Sequence, residues 1–274
     1  MTLAEARRAV AGTDVPGGTA VAAYMSKLAV RRPEQVQHLL VSLDTAKPVN
    51  SYTRQDLVAQ LQDKARKHPT MANRMLTRWK DFFSFCEQQG WVTHNPLTIV
   101  QRKFIGGKET ARERVLSWDE IQKFLLLVLH PDTKFALYFI LATGLRPSEA
   151  LWVLRTGRTE KIPTKTTLHR IPRVPHVKAL LKLVGHVPAS HLTLSNALRR
   201  KGVDYTPHDL RRTFATRLSD LGVFPHVVEK CLNHRMEGVM AVYNHAEYWD
   251  QRVEAMRLWG HKLSQLRRSC RSGT

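Results

Sequence analysis

The chain has 274 residues, 43% of them hydrophobic, which is enough for a buried core and more than one average domain. Its 43 lysines and arginines against 23 acids give a formal charge of +20 and a pI near 10.4, pointing to a polyanionic partner. Cations outnumber acids 13 to 8 over residues 1–100, 15 to 7 over 101–180 and 15 to 8 over 181–274, which excludes a detachable basic tail as the source of the charge. The three cysteines, Cys86, Cys231 and Cys270, offer neither a disulfide framework nor a metal-knuckle spacing, so a reducing compartment is expected. The most apolar stretch, Ile121 to Leu141, is broken by Lys123, His130, Pro131, Asp132 and Lys134 and is not a membrane span. Glu5, Arg7 and Arg8 interrupt any apolar start, so no signal peptide is expected.

Residues 3–11 are strong helix formers, ended by Gly12 and by Pro16-Gly17-Gly18; residues 1–18 therefore read as a short helix and a joint. Residues 19–100 read as a wholly helical domain with helices over 19–28, 33–43, a start capped by Thr53 running to Lys67, and 70–89. In the last of these, Leu76, Trp79, Phe83 and Cys86 recur every three or four residues and form one buried stripe. Residues 101–114 are charged, contain Gly106 and Gly107, lack apolar period and read as an interdomain linker.

A second domain, residues 115–274, opens on the capping box Ser117-Trp118-Asp119-Glu120 and the amphipathic run Ile121, Phe124, Leu125, Val128, Leu129. A helix over 133–142 stops at Gly144. Pro147 then suits the first turn of a new helix, which places Arg146 at a helix N-terminus favourable to anions, with Glu149 near enough to orient its guanidinium. Between Glu160 and Val174, β-branched and polar residues with Pro163 and Pro172 indicate a short hairpin. Helices resume after Pro188, over 192–201, 208–221, 225–232, 238–244 and 248–266. The expected class is mainly α with a small β-hairpin (α+β).

Four features carry chemistry. Thr143-Gly144-Leu145-Arg146-Pro147-Ser148-Glu149 presents Arg146; His208-Asp209-Leu210-Arg211 is the one His-x-x-Arg of the chain and puts two anion-binding groups on one helix face; Leu232-Asn233-His234 ends a helix; and Tyr243 follows His234 by nine residues. Taken singly, each has a plain alternative: a surface arginine near a turn, a chance pair, a helix C-terminal histidine, a core tyrosine beside Val239 and Val242. Together, two guanidiniums and two imidazoles make a pocket for the charge that gathers on a phosphodiester under attack, and a phenol can accept the phosphoryl group.

In this order these residues resemble the tyrosine recombinases, or phage-type integrases, with wording closest to integrases of satellite phages and genomic islands over Leu232 to Asn244. The resemblance covers most of residues 19–262. It implies a helical core-type DNA-binding domain, with residues 1–18 like the tail of an arm-binding domain, and a catalytic domain with a C-terminal helix. It implies strand exchange through a 3′-phosphotyrosine on Tyr243, with Arg146, His208, Arg211 and His234 as catalytic partners. It also implies a hairpin lysine as general acid, for which Lys165 is the candidate and Lys161 the alternative. The stretch Leu151 to Lys165 is shorter than in that family, so a reduced sheet is expected.

No metal or nucleotide cofactor is implied, since arginines neutralise the charge and the covalent link retains the bond energy. The implied partner is double-stranded DNA held as in a clamp, by a homotetramer on synapsed DNA and a monomer or dimer without it, with accessory DNA-bending proteins and no membrane. The implied location is cytoplasmic, at a bacterial nucleoid or in a phage-infected host. The helix over 248–266, with Val253, Met256 and Trp259, has two readings: docking on a neighbouring subunit or packing on its own domain. Competing functions are a type IB topoisomerase, a non-catalytic DNA-binding integrase remnant, and a metalloenzyme using some of the thirteen histidines.

Overall fold

The structure, a computed structural model, describes residues 14–28, 33–110, 112–164, 168–234 and 246–272. The helices expected over 3–11 and 238–244 lie outside them. The chain forms two units, Met1–Ala111 and Arg112–Thr274.

The first unit contains α1 (Gly17–Lys27), α2 (Pro33–Leu40), α3 (Arg54–Lys67) and α4 (Pro69–Gln88). Thr53 caps α3 as its sequence requires: its hydroxyl accepts from the Asp56 N–H at 3.1 Å and the Asp56 carboxylate accepts from the Thr53 N–H at 3.4 Å. The stripe on α4 is buried, with Trp79, Phe83 and Cys86 at 0% exposure, and the Trp79 indole N–H donates to the Leu39 carbonyl at 2.8 Å. Gly17 and Gly18, expected to belong to a joint, instead open α1. Their N–H groups donate to the Lys47 and Thr45 carbonyls, and a Cβ on Gly17 would lie 2.7 Å from the Asp44 carbonyl oxygen. The close approach of that loop, rather than flexibility, calls for glycine there. Asn73 on α4 binds the segment that follows, donating to the Gly107 carbonyl and the Glu109 carboxylate and accepting from the Gly106 N–H.

The second unit contains α5 (Trp118–Leu126), α6 (Pro131–Thr143), α7 (Pro147–Thr156), β1 (Ile162–Pro163), β2 (Leu168–His169), α8 (Pro175–Lys182), α9 (His191–Arg200), α10 (Pro207–Asp220), α11 (Pro225–Cys231) and α12 (Trp249–Ser272). The two strands pair antiparallel, Ile162 with His169 and Pro163 with Leu168, giving the reduced sheet that the short sequence allows. Helix α5 ends at Leu126, before the expected Val128 and Leu129, because the Lys134 ammonium takes the Phe124 and Leu127 carbonyls as they leave the helix. Helix α8 was not expected from the sequence. Pro175 at its first position and the apolar pair Val177 and Leu180, three residues apart, suffice for two turns once the core receives them.

Helix α6 is buried on nearly every side, from Ala136 to Thr143, and is the centre of this unit. Trp259 of α12 packs on it, with no exposed surface, donates its indole N–H to the Leu141 carbonyl at 2.9 Å and meets the Phe214 ring edge-on at 5.8 Å. Met256 is 1% exposed, so the Met256–Trp259 face of α12 packs on its own unit and is not free to dock elsewhere. The start of the unit is tied to α10 by Arg112, paired with Asp209 at 3.0 Å, and by Arg114, which forks onto Asp204 just before that helix.

Gly144 ends α6 in the left-handed region, φ +67°, and a Cβ there would lie 2.3 Å from the Phe214 ring. Gly144→Ala is expected to cost the second unit about 2–4 kcal/mol through strain plus overlap. Gly157→Ala, at φ +66° with open space around it, should cost only about 1 kcal/mol. Urea titrations of the two variants check this, and equal losses would refute the packing role given to Gly144.

Candidate active site

The site is assembled at three chain reversals around α6. At the first, Gly144 turns the chain, Arg146 becomes the N-cap of α7 and Pro147 its first residue. Glu149, 3% exposed, accepts from the Arg146 N–H at 3.0 Å and from its guanidinium at 2.9 Å. That carboxylate therefore holds Arg146 at both backbone and side chain, while the guanidinium stays partly open to solvent.

The second element is α10, whose N-terminus is fixed by a capping box between Thr206 and Asp209. Arg211, one turn in, is 2% exposed, and a guanidinium removed from water must be fully bonded. It donates to the Gly144 carbonyl and the Leu232 carbonyl, both at 2.8 Å, and to His234 Nε2 at 2.9 Å, with the Glu149 carboxylate 3.8 Å away. Burial first, then the neighbouring Arg146, pulls its pKa down to about 10, which leaves it cationic at neutral pH. His208 lies at the exposed start of the same helix. Desolvation of its ring, then Arg211 and Arg212, lower its pKa, with Arg146 adding in the same sense and Asp209 opposing, which favours the neutral imidazole.

The third element is the turn after α11. Leu232 is the C-cap, Asn233 takes φ +53°, and the chain folds back so that His234 reaches Arg211 through Nε2 and Glu229 through Nδ1, at 2.7 Å. Arg146, Arg211 and His234 thus belong to one bonded set through Glu149, and His208 feels the charges of both arginines. Lys165 and Tyr243 lie outside the described residues. Lys161 is exposed on the hairpin at φ +52°.

Three groups here escaped the sequence reading. His169 on β2 is 3% exposed; burial, then the charges of Arg252, Arg211 and Arg146, drop its pKa to about 3, opposed only by the Cys231 backbone. Arg252 on α12, 2% exposed, bonds the Arg170 carbonyl beside it and the Glu247 carboxylate at 3.3 Å, so it ties α12 to the hairpin. Glu229 is the third. A histidine among thirteen and an arginine on a basic helix carry no sequence mark of burial. Among the described residues no three His, Cys, Asp or Glu side chains form a set able to hold a metal ion, and no helix is long and apolar enough to cross a membrane.

The described residues thus bring two guanidiniums and two imidazoles together on a helical scaffold with a minimal hairpin. Residues 188–249 match the model of the phage integrase family. No curated protein sequence matches the chain. Among solved structures, the chain is similar to a lambda integrase dimer bound to a COC′ core site, at 15% identity and a TM-score of 0.65, over 90% of this chain and 82% of that one. A lambda integrase tetramer bound to a Holliday junction gives 18% identity and a TM-score of 0.67, over 89% and 81%. The Tn1549 transposon integrase in complex with circular intermediate DNA gives 17% identity and a TM-score of 0.60, over 85% and 96%. The family model thus matches residues 188–249, and the chain shares its fold with these solved structures.

Two outcomes are expected. Glu149→Ala, which strips the buried Arg211 of its nearest carboxylate, should destabilise the second unit by about 3–5 kcal/mol in a denaturant melt. His169 has a folded pKa near 3 against an ordinary value of 6.5, so its contribution is fully present above pH 6.5 and is lost as pH falls toward 3. Stability should therefore decline over that window, by up to about 1.4 kcal/mol per pH unit from this one group, and His169→Phe should flatten the decline. An unchanged slope in that variant, measured by urea melts from pH 7 to 4, would show that His169 is not the source.

Proposed function

We propose that the chain is a site-specific DNA recombinase working through a 3′-phosphotyrosine intermediate on Tyr243. The observation that carries this reading is the buried Arg211 bonded to His234 and sharing Glu149 with Arg146. In the reaction, the Tyr243 oxygen bonds to the scissile phosphorus and the bond from phosphorus to the 5′ oxygen breaks. Arg146 and Arg211 hold the non-bridging oxygens as charge develops on them. Arg146 is the partly open guanidinium and meets the phosphate directly. Arg211 shares its donors between backbone carbonyls and the incoming oxygen.

His208, whose desolvation and then cationic neighbours favour the neutral ring, is suited to take the phenolic proton, and Lys165, or Lys161, supplies one to the leaving 5′ oxygen. His234 donates a further hydrogen bond. The second strand transfer reverses these roles, so no nucleotide is consumed. The partner is double-stranded DNA, bound by cations of both units and therefore weakly at high salt. Exchange takes place in a homotetramer on synapsed DNA, formed from monomers or dimers and served by accessory DNA-bending proteins, in the cytoplasm of a bacterial or phage-infected host. The domain division behind this reading is residues 1–18, 19–100, 101–114 and 115–274.

A suicide duplex made from DNA flanking the native locus tests the proposal. The wild-type chain should form a denaturant-resistant complex, and Tyr243→Phe should form none while keeping its DNA affinity. An adduct from Tyr243→Phe refutes the nucleophile. Relaxation of any supercoiled plasmid without a defined cleavage site would favour a type IB topoisomerase, and DNA binding with no adduct in the wild type would favour a non-catalytic remnant.

A further inference from the structure

Glu229 lies outside every motif of the sequence, yet the fold brings it to His234. Helix α11 closes with a C-terminal turn in which the Asn233 N–H donates to the Lys230 carbonyl at 3.2 Å and the His234 N–H donates to the Glu229 carbonyl at 3.0 Å. Asn233 supplies the left-handed residue that this closure needs. The turn folds His234 back over the helix end, so the backbone fixes where the ring sits, and its Nδ1 meets the Glu229 carboxylate at 2.7 Å.

The two contacts of the ring select a single tautomer. An ionised carboxylate only accepts hydrogen bonds, so Nδ1 carries the hydrogen; a guanidinium only donates, so Nε2 presents its lone pair to Arg211 at 2.9 Å. Neutral His234 has, in this arrangement, no donor directed at the pocket. To donate to a phosphate oxygen it takes a proton from solvent at Nε2, releases the Arg211 contact, and becomes an imidazolium already paired with Glu229 through Nδ1–H. One carboxylate thereby serves both states: it orients the neutral ring and balances the charged one.

We infer that Glu229 is a positioning residue for the reaction, fixing the hydrogen on His234 Nδ1 so that Nε2 is the nitrogen turned toward Arg211 and the phosphate. The inference rests on the recombinase reading of the site. Both side chains are roughly half exposed, 39% for His234 and 47% for Glu229, so the pair contributes little to stability and its value is orientation.

The test uses the full chain with Glu229→Ala and Glu229→Gln, the latter keeping an acceptor oxygen without the charge. Long-range ¹⁵N–¹H NMR, with His234→Gln to assign the signal, reads the tautomer. Single-turnover cleavage of the suicide duplex at saturating DNA reads the rate, alongside DNA affinity and thermal melting. Wild type should show one His234 tautomer protonated at Nδ1. Glu229→Ala should show mixed tautomers and a cleavage rate lower by on the order of 10-fold to 100-fold, with affinity and melting unchanged, and Glu229→Gln should recover part of both. A single unchanged tautomer and wild-type rate in Glu229→Ala would overturn the inference, as would parallel losses in melting and affinity, which mark a structural role. If the wild type forms no adduct, the recombinase reading fails, and the tautomer measurement still decides separately whether Glu229 orients His234.

Discussion

The buried guanidinium of Arg211 is the constraint around which the second unit is organised. A permanent cation at 2% exposure is tolerable only when its donors are bonded, and it takes those bonds from two separate places: the carbonyl after α6, and the turn after α11, through the Leu232 carbonyl and the His234 ring. Each place is a chain reversal, and each carries a residue proposed for the site. The same contacts that satisfy the cation therefore bring Arg146 and His234, widely separated in sequence, to one pocket. A misplaced turn would leave a buried charge unpaired, so the fold itself holds these groups together.

The supports around that cation are apolar and rigid. Helix α6 is enclosed by α7, α10 and α12, and Phe214 from α10 fills the space that glycine leaves at position 144. Trp259 anchors α12 against the end of α6 through its indole N–H, and Arg252, one helix face away from water, binds the same helix to the exit of the hairpin. The reduced two-residue strands need such bracing, since a hairpin so short has little pairing of its own. His169, buried beside these cations, lies in the same braced region.

Local signals in the sequence were read well where they act locally. The boxes at Thr53 and Ser117 start helices at the places their side chains dictate, Pro147 opens α7, and the stripe of Leu76, Trp79, Phe83 and Cys86 is buried. The readings that failed depended on distant partners. Gly17 and Gly18 read as a joint but are helical because a remote loop presses on them; no element is expected over residues 175–182, which are helical because the core accepts Val177 and Leu180. The face of α12 bearing Met256 and Trp259 had two readings of equal merit, and burial against α6 chose between them.

By itself the sequence determined the charge that selects a polyanion, the helical character of both units, and the identity and order of Arg146, His208, Arg211 and His234, because residue type and short spacing are properties of the chain alone. Tertiary structure alone decided which carboxylates serve them. Glu149 is close to Arg146 in sequence, but its reach toward Arg211, and the pairing of Glu229 with His234, arise only when α7, α10 and the turn after α11 meet. Burial likewise separates Arg211, Arg252 and His169 from the many other cations and histidines of a basic chain. Desolvation is a property of what surrounds a side chain, and that surrounding is built by residues far away in sequence.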